Sequence, residues 1–244
     1  MITAYDALFA RLFDDYADMI LVGDSLNMSF GGVNETLGIS VDEMIYHARA
    51  VQRGAKRAFL VVDMPFGTYQ GNPIHALESA IRIMKETHAD CVKLEGGAEI
   101  RESIEKILSA GIPVVGHLGL TPQSINKFGT YAVRAKEEAE ANKLISDARL
   151  LQEIGCSALV LEKIPATLAK RVAEELVIPV IGIGAGGGVD GQVLVMHDML
   201  GINMGFRPKF LRHYAEIGNI IIDAVGNYIN DVKSGDFPNE NEQY

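Results

Sequence analysis

Short apolar runs recur along the chain, and most of them end in a polar or charged residue. Met19-Ile20-Leu21-Val22 leads through Gly23 into Asp24 and Ser25. Phe59-Leu60-Val61-Val62 ends in Asp63, Cys91-Val92 runs into Lys93-Leu94-Glu95, and Ala158-Leu159-Val160-Leu161 ends in Glu162. Runs of this length suit strands buried on both faces. The pattern predicts strands at residues 2–4, 19–22, 59–62, 90–94, 112–115, 158–161 and 178–183, with a weak eighth at 202–204. Between them, apolar residues fall at helical spacing over 6–16, 41–53, 73–87, 99–110, 137–154, 165–176, 189–200 and 210–232. Pro73 opens one of these helices, and Gly54, Gly111 and Gly155 close others. Residues 26–40 carry no assignable period, and 121–133 reads as a long loop.

Strand and helix alternate throughout, which predicts a parallel sheet with crossover helices. Eight strands predict closure. The expected fold is α/β, a (β/α)8 TIM barrel formed as a single domain over residues 1–244, with a polar tail from about residue 234. An open doubly wound sheet is the alternative. In a parallel barrel the carboxyl ends of the strands converge on one face, and that face carries the active site. The residues that close the apolar runs are therefore the ones to examine.

Bulk properties narrow the function classes. The chain has 244 residues, 48% of them hydrophobic, enough to bury the core of one barrel. Its net charge of −10, with no basic stripe, argues against a nucleic-acid partner. No apolar run approaches about 18 residues, so no membrane span is expected. No secretory signal pattern opens the chain, and a cytoplasmic protein is expected. Cys91 and Cys156 lie in apolar contexts and read as reduced core residues.

Asp24, Asp63 and Glu95 are carboxylates at three successive strand ends. Left uncompensated, they would repel one another and raise each other's pKa. A hard divalent cation would resolve this, and oxygen-only ligands suit Mg²⁺ better than zinc. Separate salt bridges to Lys or Arg are the structural alternative. Lys93 lies two residues before Glu95, so both point to one side of a strand. It could hold a substrate carboxylate, a developing enolate oxygen, or a neighbouring acid. His117, expected just after the fifth strand, could donate to a reacting oxygen or play a structural part. The other histidines fall in or beside helical stretches and carry no functional reading. Glu162 stands apart from the first three acids and is free to take a proton. Its neighbour Lys163 should face the opposite way. The run Gly182-Ile183-Gly184-Ala185-Gly186-Gly187 has G-x-G-x-x-G spacing, but it follows the seventh strand and lacks the acid that a dinucleotide site needs. It reads instead as a loop where backbone approaches a ligand.

Several longer runs resemble those of the ketopantoate hydroxymethyltransferase family. They are Ile2-Thr3-Ala4-Tyr5-Asp6, Leu21-Val22-Gly23-Asp24-Ser25, Val92-Lys93-Leu94-Glu95-Gly96-Gly97, and Gly116-His117-Leu118-Gly119-Leu120-Thr121-Pro122-Gln123-Ser124. Ile181-Gly182-Ile183-Gly184-Ala185-Gly186 and Gln192-Val193-Leu194-Val195-Met196-His197-Asp198 complete the set. The resemblance covers nearly the whole chain. It implies a (β/α)8 barrel that assembles as a homo-oligomer, a decamer. It implies transfer of a hydroxymethyl group from 5,10-methylenetetrahydrofolate to 3-methyl-2-oxobutanoate, through a Mg²⁺-stabilised enolate, in pantothenate synthesis. By resemblance, Asp24, Asp63 and Glu95 match the Mg²⁺ positions. Asp24, Ser25, Asp63 and Lys93 match the oxoacid contacts, and Glu162 matches the proton acceptor. Two features depart from the family pattern. Its members carry a further segment with a short helix before the Ile-Thr-Ala-Tyr-Asp run, whereas Met1 abuts that run here. Val133-Arg134-Ala135 stands where the family has Val-Gln-Gly.

Two other functions compete. A carbon–carbon lyase or mutase of the related Mg²⁺-enolate barrels would also use strand-end acids. Such a lyase is expected to carry a catalytic cysteine in a mobile loop, and neither Cys91 nor Cys156 is placed so. A folate- or oxoacid-binding protein without catalysis is the non-enzyme reading, and it predicts no Mg²⁺-dependent turnover.

Overall fold

Eight parallel strands follow one another in sequence order within one curled sheet. The computed structural model describes residues 1–244. The strands are β1 (Ile2–Thr3), β2 (Met19–Val22), β3 (Phe59–Asp63), β4 (Cys91–Glu95), β5 (Val114–Gly119), β6 (Ala158–Glu162), β7 (Val180–Ile183) and β8 (Gly191–Gln192). A parallel bridge also pairs Ile2 with Leu194, and the Thr3 N–H donates to the Leu194 carbonyl at 3.2 Å. The chain forms two compact units, Met1–Val195 and Met196–Tyr244. The first contains every strand. The second contains the helices Met196–Met199 and Ile217–Ser234 and a short 3₁₀ turn, Glu240–Glu242. No helix is long and apolar enough to cross a membrane.

Local chemistry sets the helix starts. Asp6 caps the helix Ala7–Phe13 by accepting from the Leu8 and Phe9 N–H groups at 2.8 and 3.0 Å. Ser40 and Glu43 form a reciprocal capping box at the head of Val41–Gly54. Asn72 caps Pro73–Thr87, where the missing proline N–H leaves no donor unmet.

The expected elements differ from the structure where local pinning outweighs the apolar pattern. The fifth strand is not 112–115: it begins after Pro113, which cannot donate to a ladder, and runs on to Gly119. His117 therefore lies within β5 and not after it. Residues 189–200 are not one helix. Asp190 accepts from the Val180 N–H at 2.8 Å and donates its own N–H back to the Val180 carbonyl at 3.0 Å. This double tie draws Gly191–Gln192 into the ladder beside β7 as the eighth strand. Residues 202–204 are not a strand. The Ile202 and Asn203 N–H groups donate to the His197 carbonyl and close the preceding short helix. The last long helix starts at Ile217 and not near 210. Short helices Leu26–Ser29 and Ile125–Phe128, and a 3₁₀ turn Pro122–Ser124, occupy stretches without a readable period.

One alternation positions the site. Leu21, Val61, Cys91, Val115, Ala158, Val160 and Ile181 form a buried apolar cluster inside the sheet's curl. Side chains on a strand repeat on one face every second residue. Two residues beyond Val61, Cys91, Val115 and Val160 come Asp63, Lys93, His117 and Glu162, with Glu95 two further on. The face that is apolar at mid-strand is therefore charged at the carboxyl ends.

Asp14 holds the lower edge together. Its carboxylate accepts from the N–H groups of Lys56, Arg57 and Ala58 at 2.8–3.0 Å, tying the end of the first helix to the turn that feeds β3. Burial pushes its pKa up, but the three backbone donors outweigh burial and leave it below the usual value. Asp14→Ala is expected to lower stability by about 2 kcal/mol near pH 7, since it orphans those donors. A carboxylate depressed in the fold contributes stability that is present above its unfolded pKa of about 4 and lost as pH falls through the folded value. Urea titrations of both proteins should show a gap that is constant at neutral pH and closes under acid.

Candidate active site

All the residues singled out at strand ends lie in the first unit, and the structure gathers them at one end of the sheet, with Asp24, Asp63, Lys93, Glu95 and His117 buried and Ser25 and Glu162 half-buried. Parallel register sets the pairs. Asp63 stands opposite Lys93, Glu95 opposite His117, and Gly119 opposite Glu162. Lys93 Nζ lies 3.0 Å from Asp63 Oδ1, close enough for an ion pair. The angle is poor for a hydrogen bond, and Asp63 Oδ1 accepts none. Asp63 Oδ2 accepts from the Asp24 N–H at 3.0 Å, which fixes the turn after β2. His117 Nδ1 lies 3.3 Å from Glu95 Oε1, and its Nε2 lies 3.4 Å from Glu162 Oε2. Ser25 Oγ is 2.8 Å from the Tyr5 hydroxyl.

The loop after β5 completes the pocket. Gly119 adopts φ +93°, and a Cβ there would stand 2.3 Å from the Glu162 carbonyl, so only glycine lets this loop cross β6. The Leu120 N–H then donates to that carbonyl at 2.8 Å. Lys163 lies one residue past β6, at φ +45°, and donates to the Tyr131 carbonyl.

The electrostatics follow from burial and crowding. Burial, then the charges of Asp63 and Glu95, push the Asp24 carboxyl well above the usual carboxylate range. Burial also raises Asp63, although Lys93 opposes it. Burial works against ionisation of Glu95 too, but the hydrogen bond and charge of His117 bring it below its ordinary value. Lys93 is held above the usual lysine value, since Asp63, Glu95 and Asp24 outweigh the desolvation that would neutralise it. Burial and Lys93 lower His117, yet Glu162 and Glu95 prevail and place it at about 9. His117 Nδ1 is also 3.2 Å from Lys93 Nζ. One nitrogen cannot both accept from Lys93 and donate to Glu95. With carboxylates on both sides and a pKa of about 9, the ring is held as an imidazolium at neutral pH, ion-paired with Glu95 and Glu162.

Three residues with no assigned role in the sequence reading belong to this network. Gln123 Nε2 donates to Asp24 Oδ2 at 2.8 Å, and its backbone N–H donates to Glu95 Oε2 at 2.9 Å. The Tyr69 hydroxyl accepts from the Glu95 N–H at 3.0 Å. Tyr5 positions Ser25. Gln123 and Tyr69 sit in loops without hydrophobic period, so no pattern marked them.

As they stand, no three His, Cys, Asp or Glu side chains are grouped to hold a metal ion. The donor set nonetheless suits a hard divalent cation. Three buried carboxylates share the pocket, one of their oxygens accepts no hydrogen bond, and one carboxyl is strongly disfavoured as an anion.

Acids, a lysine and a histidine convergent at the carboxyl ends of parallel strands define an enzyme of the α/β barrel type. Residues 1–240 match the family model of ketopantoate hydroxymethyltransferase. The 3-methyl-2-oxobutanoate hydroxymethyltransferase of Parabacteroides distasonis is 71% identical over 100% of this chain and 90% of its own length. That of Porphyromonas gingivalis is 68% identical with the same coverage. The chain belongs to the ketopantoate hydroxymethyltransferase family. Among solved structures, phosphoenolpyruvate phosphomutase from Streptomyces platensis subsp. rosaceus matches with a TM-score of 0.63 at 14% identity, covering 96% of this chain and 82% of its own. That likeness concerns the fold.

Lys93 is the cation that makes the pocket tolerable. Lys93→Met is expected to lower stability by about 3 kcal/mol at pH 8 in EDTA, since it leaves buried carboxylates unpaired. Without the ammonium, Asp63 and Asp24 rise further above their unfolded values, and a raised carboxyl loses stability as pH increases. Chemical denaturation should therefore show a smaller deficit at pH 5.5 than at pH 8. A deficit independent of pH would contradict this electrostatic role.

Proposed function

We propose that the chain transfers a hydroxymethyl group from 5,10-methylenetetrahydrofolate to 3-methyl-2-oxobutanoate, giving 2-dehydropantoate for pantothenate synthesis. The observation that carries this reading is the joint burial of Asp24, Asp63 and Glu95 around Lys93, with Glu162 across the pocket. Asp24, Asp63 and Glu95 would hold Mg²⁺. Bound there, the cation would offset their charge and stabilise negative charge developing on the keto oxygen of the oxoacid. Asp24, Ser25, Asp63 and Lys93 orient the oxoacid, and the Lys93 ammonium faces its anionic end. Glu162, whose side chain is 17% exposed against 4% or less for Lys93, Asp63 and His117, is the group open to substrate. Its Oε2 takes the proton from C3. The electron pair left at C3 forms a bond to the folate's methylene carbon, which gives up both of its C–N bonds. Water supplies the hydroxyl group, and the proton from C3 and the remaining proton of water end on the two tetrahydrofolate nitrogens. His117 spans Glu95 and Glu162 and sets the distance between the two carboxylates.

A lyase chemistry that needs a poised thiol finds no support. Burial pushes Cys91 and Cys156 up to about 12, so neither is a reactive thiolate at neutral pH.

The exchange of the C3 hydrogen tests this assignment. In D₂O with Mg²⁺ and no folate, the protein should exchange the C3 hydrogen of 3-methyl-2-oxobutanoate, followed by proton NMR. Glu162→Gln should bind the oxoacid but lose exchange by a factor of about 10² or more. Asp24→Asn should lose binding and exchange together. Wild-type exchange in Glu162→Gln would assign the base elsewhere.

The wider reading is a closed (β/α)8 barrel acting as one catalytic domain, and the Ile2–Leu194 bridge supports closure. Two free buried thiols suit the reducing cytoplasm. Exposed Ile220, Ile222, Val225 and Tyr228 along one helix support a homo-oligomer, a decamer by family resemblance. Light scattering should give a mass several times the 26.5 kDa chain. A mass of one chain would contradict assembly.

A further inference from the structure

Gln123 is buried, and every hydrogen-bonding position of its side-chain amide is used. Nε2 donates to Asp24 Oδ2 at 2.8 Å and to the Met64 carbonyl at 2.9 Å. Oε1 accepts from the Tyr69 hydroxyl at 2.6 Å and from Gln70 Nε2 at 2.9 Å. The direction of the amide is forced. Tyr69 already accepts from the Glu95 N–H, so its own proton must go to an acceptor, and the shorter contact is Gln123 Oε1. The opposite end of the amide must then present N–H to Asp24. The backbone N–H of the same residue donates to Glu95 Oε2.

We propose that Gln123 is the positioning residue for Asp24 and Glu95, reading the place of Glu95 through Tyr69 and setting the rotamer of Asp24 with its amide. The proposal rests on the cation reading of the preceding section. Asp24 is the acid whose side chain has a neutral donor and no ion-paired cation, while Asp63 has Lys93 at 3.0 Å and Glu95 has His117 at 3.3 Å. A charged donor at position 123 would compete with a divalent cation for the Asp24 carboxylate. A neutral amide orients it and leaves its charge available. Pro122 and the 3₁₀ turn Pro122–Ser124 fix the backbone of Gln123, with the Ser124 N–H donating to the Thr121 carbonyl at 2.8 Å. The loop after β5 is thereby coupled to the acids at the ends of β2 and β4.

The test is Mn²⁺ binding, read from the free-ion EPR signal, on the full chain without substrate. Wild type, Gln123→Met, Tyr69→Phe and the double variant are compared, with thermal unfolding in EDTA as the control for folding. Groups that orient metal ligands are worth 10–100-fold in affinity. Gln123→Met is expected to weaken Mn²⁺ binding by about that factor at a temperature where each protein is fully folded. Tyr69→Phe should weaken it less, and the double variant should be no weaker than Gln123→Met, because Tyr69 acts through the amide. If Gln123→Met does not fold, weakened binding in folded Tyr69→Phe still supports the proposal, and wild-type binding overturns it. Wild-type affinity in Gln123→Met, or additive losses in the double variant, would overturn it while leaving the cation site standing. A wild-type protein that binds no Mn²⁺ would overturn the cation reading and this proposal together.

Discussion

Carboxylates buried in one pocket must each meet positive charge or hydrogen-bond donors, or the fold cannot hold them ionised. The pocket at the ends of β2–β6 meets this constraint unevenly. Asp63 has the Lys93 ammonium at 3.0 Å and a backbone donor from Asp24. Glu95 has the His117 imidazolium and the Gln123 backbone N–H on its carboxylate, while its own N–H donates to the Tyr69 hydroxyl. Asp24 has the Gln123 amide, and its carboxyl is raised well above the ordinary range by burial and its two acidic neighbours. The unmet charge therefore concentrates at Asp24. A ligand that brings positive charge gains most there, which supports the proposed cation site.

The sheet supplies the geometry. Parallel register puts Asp63 beside Lys93 and Glu95 beside His117 without any contribution from loops. The same two-residue period that buries Val61, Cys91 and Val115 in the interior delivers the charged residues at the strand ends. Strand ends give a rigid frame, and the loop after β5 adds the adaptable part: Gly119 permits the crossing over β6, and Gln123 closes the hydrogen-bond network.

Much of this was legible in the residues. The strands at Met19–Val22 and the helix Pro73–Thr87 end where apolar pattern and capping place them, and the acids that close apolar runs do converge. His117 was read as following a strand that ends at Val115, yet β5 runs through it to Gly119. The eighth strand escaped because it is two residues long and held by Asp190, whose pairing with Val180 is a contact between distant residues that no local period records. Gln123 and Tyr69 escaped for the same reason. Their part depends on where a loop crosses a sheet; Gln123 belongs to a run shared with the family, and Tyr69 belongs to none.

The most direct measurement is turnover itself. Purified protein is supplied with 3-methyl-2-oxobutanoate and 5,10-methylenetetrahydrofolate, and 2-dehydropantoate is followed with Mg²⁺, after EDTA, and after Mg²⁺ is restored. A cation-dependent transferase gives product that stops with chelation and returns with the metal. Product formation untouched by complete removal of divalent cations, or no product under any of the three conditions, would contradict the assignment of the carboxylate pocket as the catalytic centre.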